Sequence, residues 1–119
     1  MDRVRILVVE DSPDQAGLLR RYFERAGCEV TAVETAESAI LAYLDSPPDL
    51  AVIDLLLPGM NGWELASRLR ADRPDCAIAI TSVLDVADFP PSDAALPKPF
   101  TRQQVTRVLA DTVPRWSGR

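Results

Sequence analysis

The chain has 119 residues, 47% of them hydrophobic and 26% charged, with a net charge of −5. That length supports one domain around one core, and no apolar run approaches the roughly 20 residues of a membrane span. The acidic balance argues against nonspecific nucleic-acid binding by this domain.

The opening "MDRVRILVVED" runs straight into a strand-like segment. It lacks the apolar core and cleavage site of a signal peptide, so the expected location is cytoplasmic. Cys28 and Cys76 form no Cys-x-x-Cys pair and there is no histidine. A disulfide or zinc site is therefore not expected, and any metal should be hard and oxygen-bound. Of thirteen basic residues, only Lys98 is a lysine. Lysine is a compact charge on a flexible stem, whereas arginine is a rigid fork, so Lys98 is singled out.

In chain order, Arg5 to Glu10 is an apolar run that reads as a buried strand. Ser12, Pro13 and Gln15 spell an N-cap, a first-turn proline and a capping-box partner. Leu18, Leu19, Tyr22 and Phe23 then recur at helical spacing as core residues until Gly27 ends the helix. Cys28 to Glu34 is β-branched and alternating, a second strand. Thr35 caps a helix whose apolar stripe includes Ala39, Ile40, Tyr43 and Leu44, and Pro47-Pro48 break it. Leu50 to Asp54 is the third strand, and Asn61 with Glu64 opens the helix Trp63 to Arg70. Ala77 to Thr81 is the fourth strand and Ala94 to Pro97 a short fifth. Thr101 and Gln104 box the last helix, which carries Val105, Val108 and Leu109 on one face until Pro114 stops it. Residues 1–114 form the domain and 115–119 a frayed tail. Trp63 and Trp116 read as partly exposed packing residues.

Alternating strands and helices imply a parallel sheet with helices on both faces. Ligands of such sheets bind at the carboxyl ends of the strands, near a topological switch point. The residues placed there are Glu10, Asp11, Asp54, Thr81 and, just after the fifth strand, Lys98. Three nearby carboxylates repel one another, and a hard divalent cation such as Mg²⁺ relieves this. An aspartyl carboxylate can act as a nucleophile, with metal and lysine spreading charge on a transferring phosphoryl group. Singly, each residue has an ordinary reading. Glu10-Asp11 suits a solvated strand end, Asp54 a loop cap, Thr81 a strand end and Lys98 a surface.

Together these residues resemble the receiver domain of bacterial two-component response regulators, from about Arg5 to Val113. The matching residues are Glu10-Asp11, Asp54 with Pro58 and Gly62 behind it, Thr81, and Lys98-Pro99-Phe100. The resemblance implies a flavodoxin-like, doubly wound five-stranded sheet of order 2-1-3-4-5. It implies that Asp54 accepts phosphate from a sensor histidine kinase or a histidine phosphotransferase, and that a downstream effector protein reads the result. It implies Mg²⁺ held by Asp11, Asp54 and the backbone carbonyl of Leu56, with Glu10 acting mainly through water. Thr81, Ser82 and Lys98 would contact the phosphoryl group, and the Lys98-Pro99 bond would be cis.

Three departures stand out. Thr81 and Lys98 are only seventeen positions apart, too few for a full fourth helix, so Leu84 to Phe89 should form a loop or one to two turns. Receivers usually carry Tyr or Phe three residues before the lysine, where this chain has Ala95; Phe89 and Phe100 are candidate substitutes. The small residue usually following the threonine is here Ser82. An alternative function is a phosphorylation-independent interaction module, binding through Ser82 to Ser92 and the last helix. An aspartyl phosphatase of the haloacid dehalogenase type needs a second acid two residues on, where Leu56 stands. Leu55-Leu56-Leu57 offers apolar surface beside the site.

Overall fold

The computed structural model describes residues 3–116. The elements follow in the order β1 (Arg5–Val9), α1 (Pro13–Arg25), β2 (Glu29–Val33), α2 (Ala36–Asp45), β3 (Leu50–Asp54), α3 (Gly62–Asp72), β4 (Ala77–Ser82), β5 (Ala94–Pro97) and α4 (Arg102–Thr112). The five strands are all parallel, in the order β2-β1-β3-β4-β5. The chain reverses direction across the sheet after β2, so the switch point lies between β1 and β3.

Helix starts follow local chemistry. Ser12, Thr35, Asn61 and Thr101 each accept a backbone N–H in the first turn. Thr101 and Gln104 close the capping box in both directions. Each cap satisfies an N–H that the helix itself leaves orphaned.

Consecutive residues of the central strands serve opposite cores, which is why they read as unbroken apolar runs. Ile6, Val8, Leu50 and Val52 pack with Leu19 and Phe23 of α1 and Val105, Val108 and Leu109 of α4. Leu7, Val9, Ala51 and Ile53 pack with Ala39 and Tyr43 of α2 and Leu65 and Leu69 of α3. The Tyr43 hydroxyl donates to Asp72 at 2.6 Å and so ties α2 to α3. Burial, then the Asp72 carboxylate, push that hydroxyl up to about 12.

The structure amends the stripe of α2. Ala36, Ala39 and Tyr43 are its buried residues, while Leu41 and Leu44 are exposed. At 100° per residue, Leu44 stands one step round from Tyr43 and out of the core. Leu18 and Tyr22 are half-buried around fully buried Leu19 and Phe23.

The frayed tail is also corrected, because its first two residues are anchored at the amino-terminal edge of the sheet. Arg115 donates to both carboxylate oxygens of Asp49, at 3.2 and 2.7 Å, and to the Arg3 carbonyl at 2.7 Å. The half-buried Trp116 indole donates to Ala26 O at 2.9 Å, serving the end of α1. Residues 117–119 lie outside the described residues.

Asp49 also accepts the Arg5 N–H at 2.7 Å, so one carboxylate joins the starts of β1 and β3 to the carboxy-terminal tail. Burial alone raises its pKa; Arg115 and the Arg5 N–H outweigh this and hold it below its usual range. A depressed folded-state pKa gives stability above the unfolded value that is lost as pH falls through the folded one. Asp49→Asn keeps the side chain's size and one acceptor. It is expected to cost about 1 kcal/mol at pH 7, allowing for the exposure of Arg115. Urea unfolding of both proteins should show the gap closing below about pH 4.

Candidate functional site

The site lies at the carboxyl ends of β1, β3 and β4, beside the switch point between β1 and β3. Asp54 is the last residue of β3 and pairs in register with Thr81 on β4. Glu10 and Asp11 directly follow β1. Glu10 and Asp54 are 1% and 4% exposed, Thr81 and Ser82 are fully buried, and Asp11 faces solvent. One carboxylate oxygen from each of Glu10, Asp11 and Asp54 lies within 4.8 Å of the others.

Lys98 reaches this cluster from beyond β5. Its Nζ donates to Glu10 Oε1 at 2.5 Å and to Asp54 Oδ2 at 3.0 Å. Its own N–H donates to the Ser82 carbonyl at 2.9 Å, which continues the β4–β5 pairing to the lysine. The Lys98-Pro99 peptide is cis, in agreement with the expectation from the resemblance. Burial alone would lower the lysine's pKa, but the two carboxylates overcome it and raise it. Glu10 is raised as well, with burial outweighing Lys98 and the Ser12 N–H that donates to it at 3.1 Å.

The loop after β3 is built to hold Asp54 still. The Leu56 N–H donates to Asp54 Oδ1 at 3.1 Å. Gly59 has φ of +71°, a conformation that a residue with a Cβ rarely adopts. The Gly62 N–H donates to Leu55 O at 3.0 Å. A Cβ on Gly62 would lie 2.3 Å from Asp54 O and 2.6 Å from Leu55 Cα. The first residue of α3 therefore rests directly on the backbone of the strand end that carries Asp54. Of the three leucines, Leu55 and Leu57 are buried and only Leu56 is exposed.

Thr81 Oγ1 is buried with no hydrogen-bond partner. A buried hydroxyl without a partner is costly, and this one belongs to the residue paired with Asp54 across β3 and β4. The Ser82 hydroxyl is engaged, accepting the Leu84 N–H at 3.2 Å. All the sequence-predicted site residues thus converge on one rim, except that Pro99 and the Leu56 side chain face outward. Sequence reasoning missed the Trp63 hydrogen bond, in which the indole donates to Asp88 O at 3.2 Å and ties α3 to the segment between β4 and β5. Its position in the first turn of a helix carries no signal for that bond.

The departures are visible as well. The segment between β4 and β5 contains a single 3-10 turn, Val86–Asp88, in place of a helix. Ala95 is exposed on β5. Phe100 is buried in the core shared by α1 and α4, and Phe89 packs half-buried on the opposite core.

The donor set suits a hard cation: three clustered carboxylates, one of them open to solvent, with no histidine or cysteine among them. Fold and site thus define a parallel α/β domain with an acidic, lysine-bridged cluster at its switch point. The chain belongs to the response regulator receiver domain family, whose profile matches residues 6–110.

It is 34% identical over 114 residues to the DNA-binding response regulator MtrA of Mycolicibacterium smegmatis, covering 91% of this chain and 50% of that protein. The chain therefore spans about half the length of the curated relatives it matches. Among solved structures, a chain described as a response regulator from Chloroflexus aurantiacus J-10-fl superposes with a TM-score of 0.87 at 25% identity, covering 97% of this chain and all of that one. The receiver domain of the Francisella response regulator 1452 gives a TM-score of 0.80 at 26% identity, covering 89% of this chain and 93% of that one. Among the described residues, no helix is long and apolar enough to cross a membrane.

Proposed function

We propose that Asp54 is the phosphoacceptor of a two-component switch. One carboxylate oxygen attacks the phosphorus of a phosphohistidine on a sensor kinase or histidine phosphotransferase. The P–N bond breaks, its electron pair leaves with the imidazole, and an acyl phosphate forms on Asp54. Lys98 moves its contact from the carboxylate to a phosphoryl oxygen. The Thr81 hydroxyl, which lacks a partner beside Asp54, donates to another. Glu10, Asp11, Asp54 and the Leu56 carbonyl would hold Mg²⁺, which when bound offsets negative charge on the acids and on the transferring group.

The observation that carries this reading is Lys98 bridging Glu10 and Asp54 beside that unpartnered hydroxyl. A constitutive interaction module has no use for this arrangement, so the switch is favoured over it. The partners would be the phosphodonor protein and an effector that distinguishes the two states of Asp54; a longer protein carrying this domain would add its own output.

The test is intact mass after incubation with acetyl phosphate. One added phosphoryl group is expected with Mg²⁺, and none without Mg²⁺ or in Asp54→Asn. Addition to Asp54→Asn would place the acceptor elsewhere.

The acyl phosphate should also be long-lived. Leu56 and Val83 flank the site two residues beyond Asp54 and Thr81, both exposed and both apolar. Neither can orient an attacking water. Installing Asn at 56 and Glu at 83 is expected to shorten the lifetime by about tenfold or more, in the range of general base and positioning effects. An unchanged decay of the radiolabelled protein would exclude these positions from control of hydrolysis.

A further inference from the structure

In a parallel α/β sheet every helix that follows a strand starts at the carboxyl end of the sheet. Acids favoured by helix dipoles therefore collect there. Asp14, Glu37 and Glu64 are such acids, in the first turns of α1, α2 and α3. Glu34, Asp85 and Asp88 stand at the same end but belong to no α-helix. All six are exposed. They follow β1, β2, β3 and β4, so they spread over four of the five strands. Glu37 reaches the acceptor loop, with its carboxylate 3.6 Å from where a Cβ on Gly59 would lie.

These acids are uncompensated. Elsewhere Glu24, Asp49, Asp72, Asp93 and Asp111 each pair with an arginine. Among the described residues, none of the six forms a salt bridge. With Glu10, Asp11 and Asp54, this end of the sheet holds nine acids against Lys98 and Arg102, a balance of −7. The other nine acids and eleven arginines of the sequence balance at +2. A divalent cation together with Lys98 would offset the three inner carboxylates and leave the six outer ones. Helix N-termini add only about half a positive charge each.

We infer that the six outer acids select the phosphodonor of Asp54 by charge, favouring a phosphohistidine set in a cationic protein surface and holding off free phosphoryl anions. This rests on the proposed function of Asp54 and adds the chemistry of its donor. The acids surround that site and form none of their own. Acetyl phosphate arrives as a dianion without accompanying cations and meets a repulsive field. A phosphohistidine flanked by arginines meets the same field with a favourable balance. Steering of this kind changes association rates by about 10–10³-fold and weakens as salt screens it.

The experiment compares wild-type protein with two triple variants of equal charge change. One neutralises the rim, Asp14→Asn, Glu37→Gln and Glu64→Gln. The other neutralises exposed acids at the amino-terminal end of the sheet, Glu29→Gln, Asp45→Asn and Asp75→Asn. Phosphorylation is followed by intact mass, with Mg²⁺ shown by titration to be saturating at each ionic strength. The donors are acetyl phosphate and two phosphohistidine peptides of equal length, one flanked by three arginines and one by three glutamates. In wild type, acetyl phosphate should react about threefold faster or more when ionic strength rises from about 0.03 to 0.5 M. At low salt the rim triple should show the same gain, and the other triple should match wild type. The arginine peptide should lead the glutamate peptide by about tenfold or more at low salt. That lead should shrink in the rim triple and at high salt. Equal rates for the two peptides, or a lead that the rim triple keeps in full, overturns selection by charge and leaves Asp54 as the acceptor. Absence of addition from every donor to folded wild-type protein overturns the reading of Asp54 and this inference with it.

Discussion

Replacing Lys98 by methionine is expected to slow phosphorylation of Asp54 by about 10²–10³-fold, the usual effect of removing one preorganised donor from a transferring group. The same change should destabilise the protein by about 3 kcal/mol at pH 7, because it leaves buried acids without their counter-charge. Glu10 is 1% exposed, and its ammonium partner is 12% exposed on the side chain. The pH dependence gives the cause away. Glu10 already has a raised pKa, from burial first, and loss of Lys98 raises it further. For an acid with a raised folded-state pKa, the folded protein binds more protons than the unfolded one. The penalty is therefore absent at low pH and appears as pH climbs through the folded value. Urea unfolding from pH 4 to 8 should show the Lys98→Met deficit growing with pH. A deficit that stays constant would assign it to lost packing of the lysine stem.

Gly62→Ala is the second large effect. At a first-turn helix position alanine is the better helix former, by up to about 1 kcal/mol. The new Cβ would nevertheless lie 2.3 Å from Asp54 O and 2.6 Å from Leu55 Cα, both backbone atoms of a buried strand end. Neither can swing away as a flexible side chain could. The clash should dominate and leave a net loss of about 2–3 kcal/mol. Relief requires α3 and the Asp54–Leu55 peptide to separate, which displaces the acceptor carboxylate. A displacement near 1 Å costs about 10²-fold in rate, so phosphorylation by acetyl phosphate should fall far more than stability alone accounts for. Gly17→Ala is the control. It is an exposed glycine in α1 with nothing near its would-be Cβ, and there alanine should stabilise. Equal phosphorylation rates in Gly62→Ala and wild type would remove Gly62 from the positioning of Asp54.

Much of this was legible in the chain itself. Strand and helix order follow from local patterns: continuous apolar runs for strands buried on both faces, and polar caps at Ser12, Thr35, Asn61 and Thr101 that accept first-turn N–H groups. Parallel order then sends every strand's carboxyl end to one rim, which is why the pattern alone assigns Glu10, Asp54, Thr81 and Lys98 to the same edge. The absence of an α-helix between β4 and β5 was a matter of length, since Thr81 and Lys98 are only seventeen positions apart.

Other features depend on neighbours that are distant in the chain. Leu44 has the apolar character of a core residue and is exposed, because the face of α2 that packs on the sheet carries Ala36, Ala39 and Tyr43. Arg115 and Trp116 look like a loose end and are held by Asp49 and Ala26, 66 and 90 positions away. The Trp63–Asp88 bond arises only because a helixless segment folds back over α3. The elements, their order and the chemistry of the rim follow from short-range propensities and a parallel topology. Which side chains meet is a matter of packing: Lys98 is shared between Glu10 and Asp54, Gly62 lies against the Asp54 backbone and Thr81 Oγ1 is left without a partner. Those contacts are set by strand register and helix placement, which no local pattern encodes.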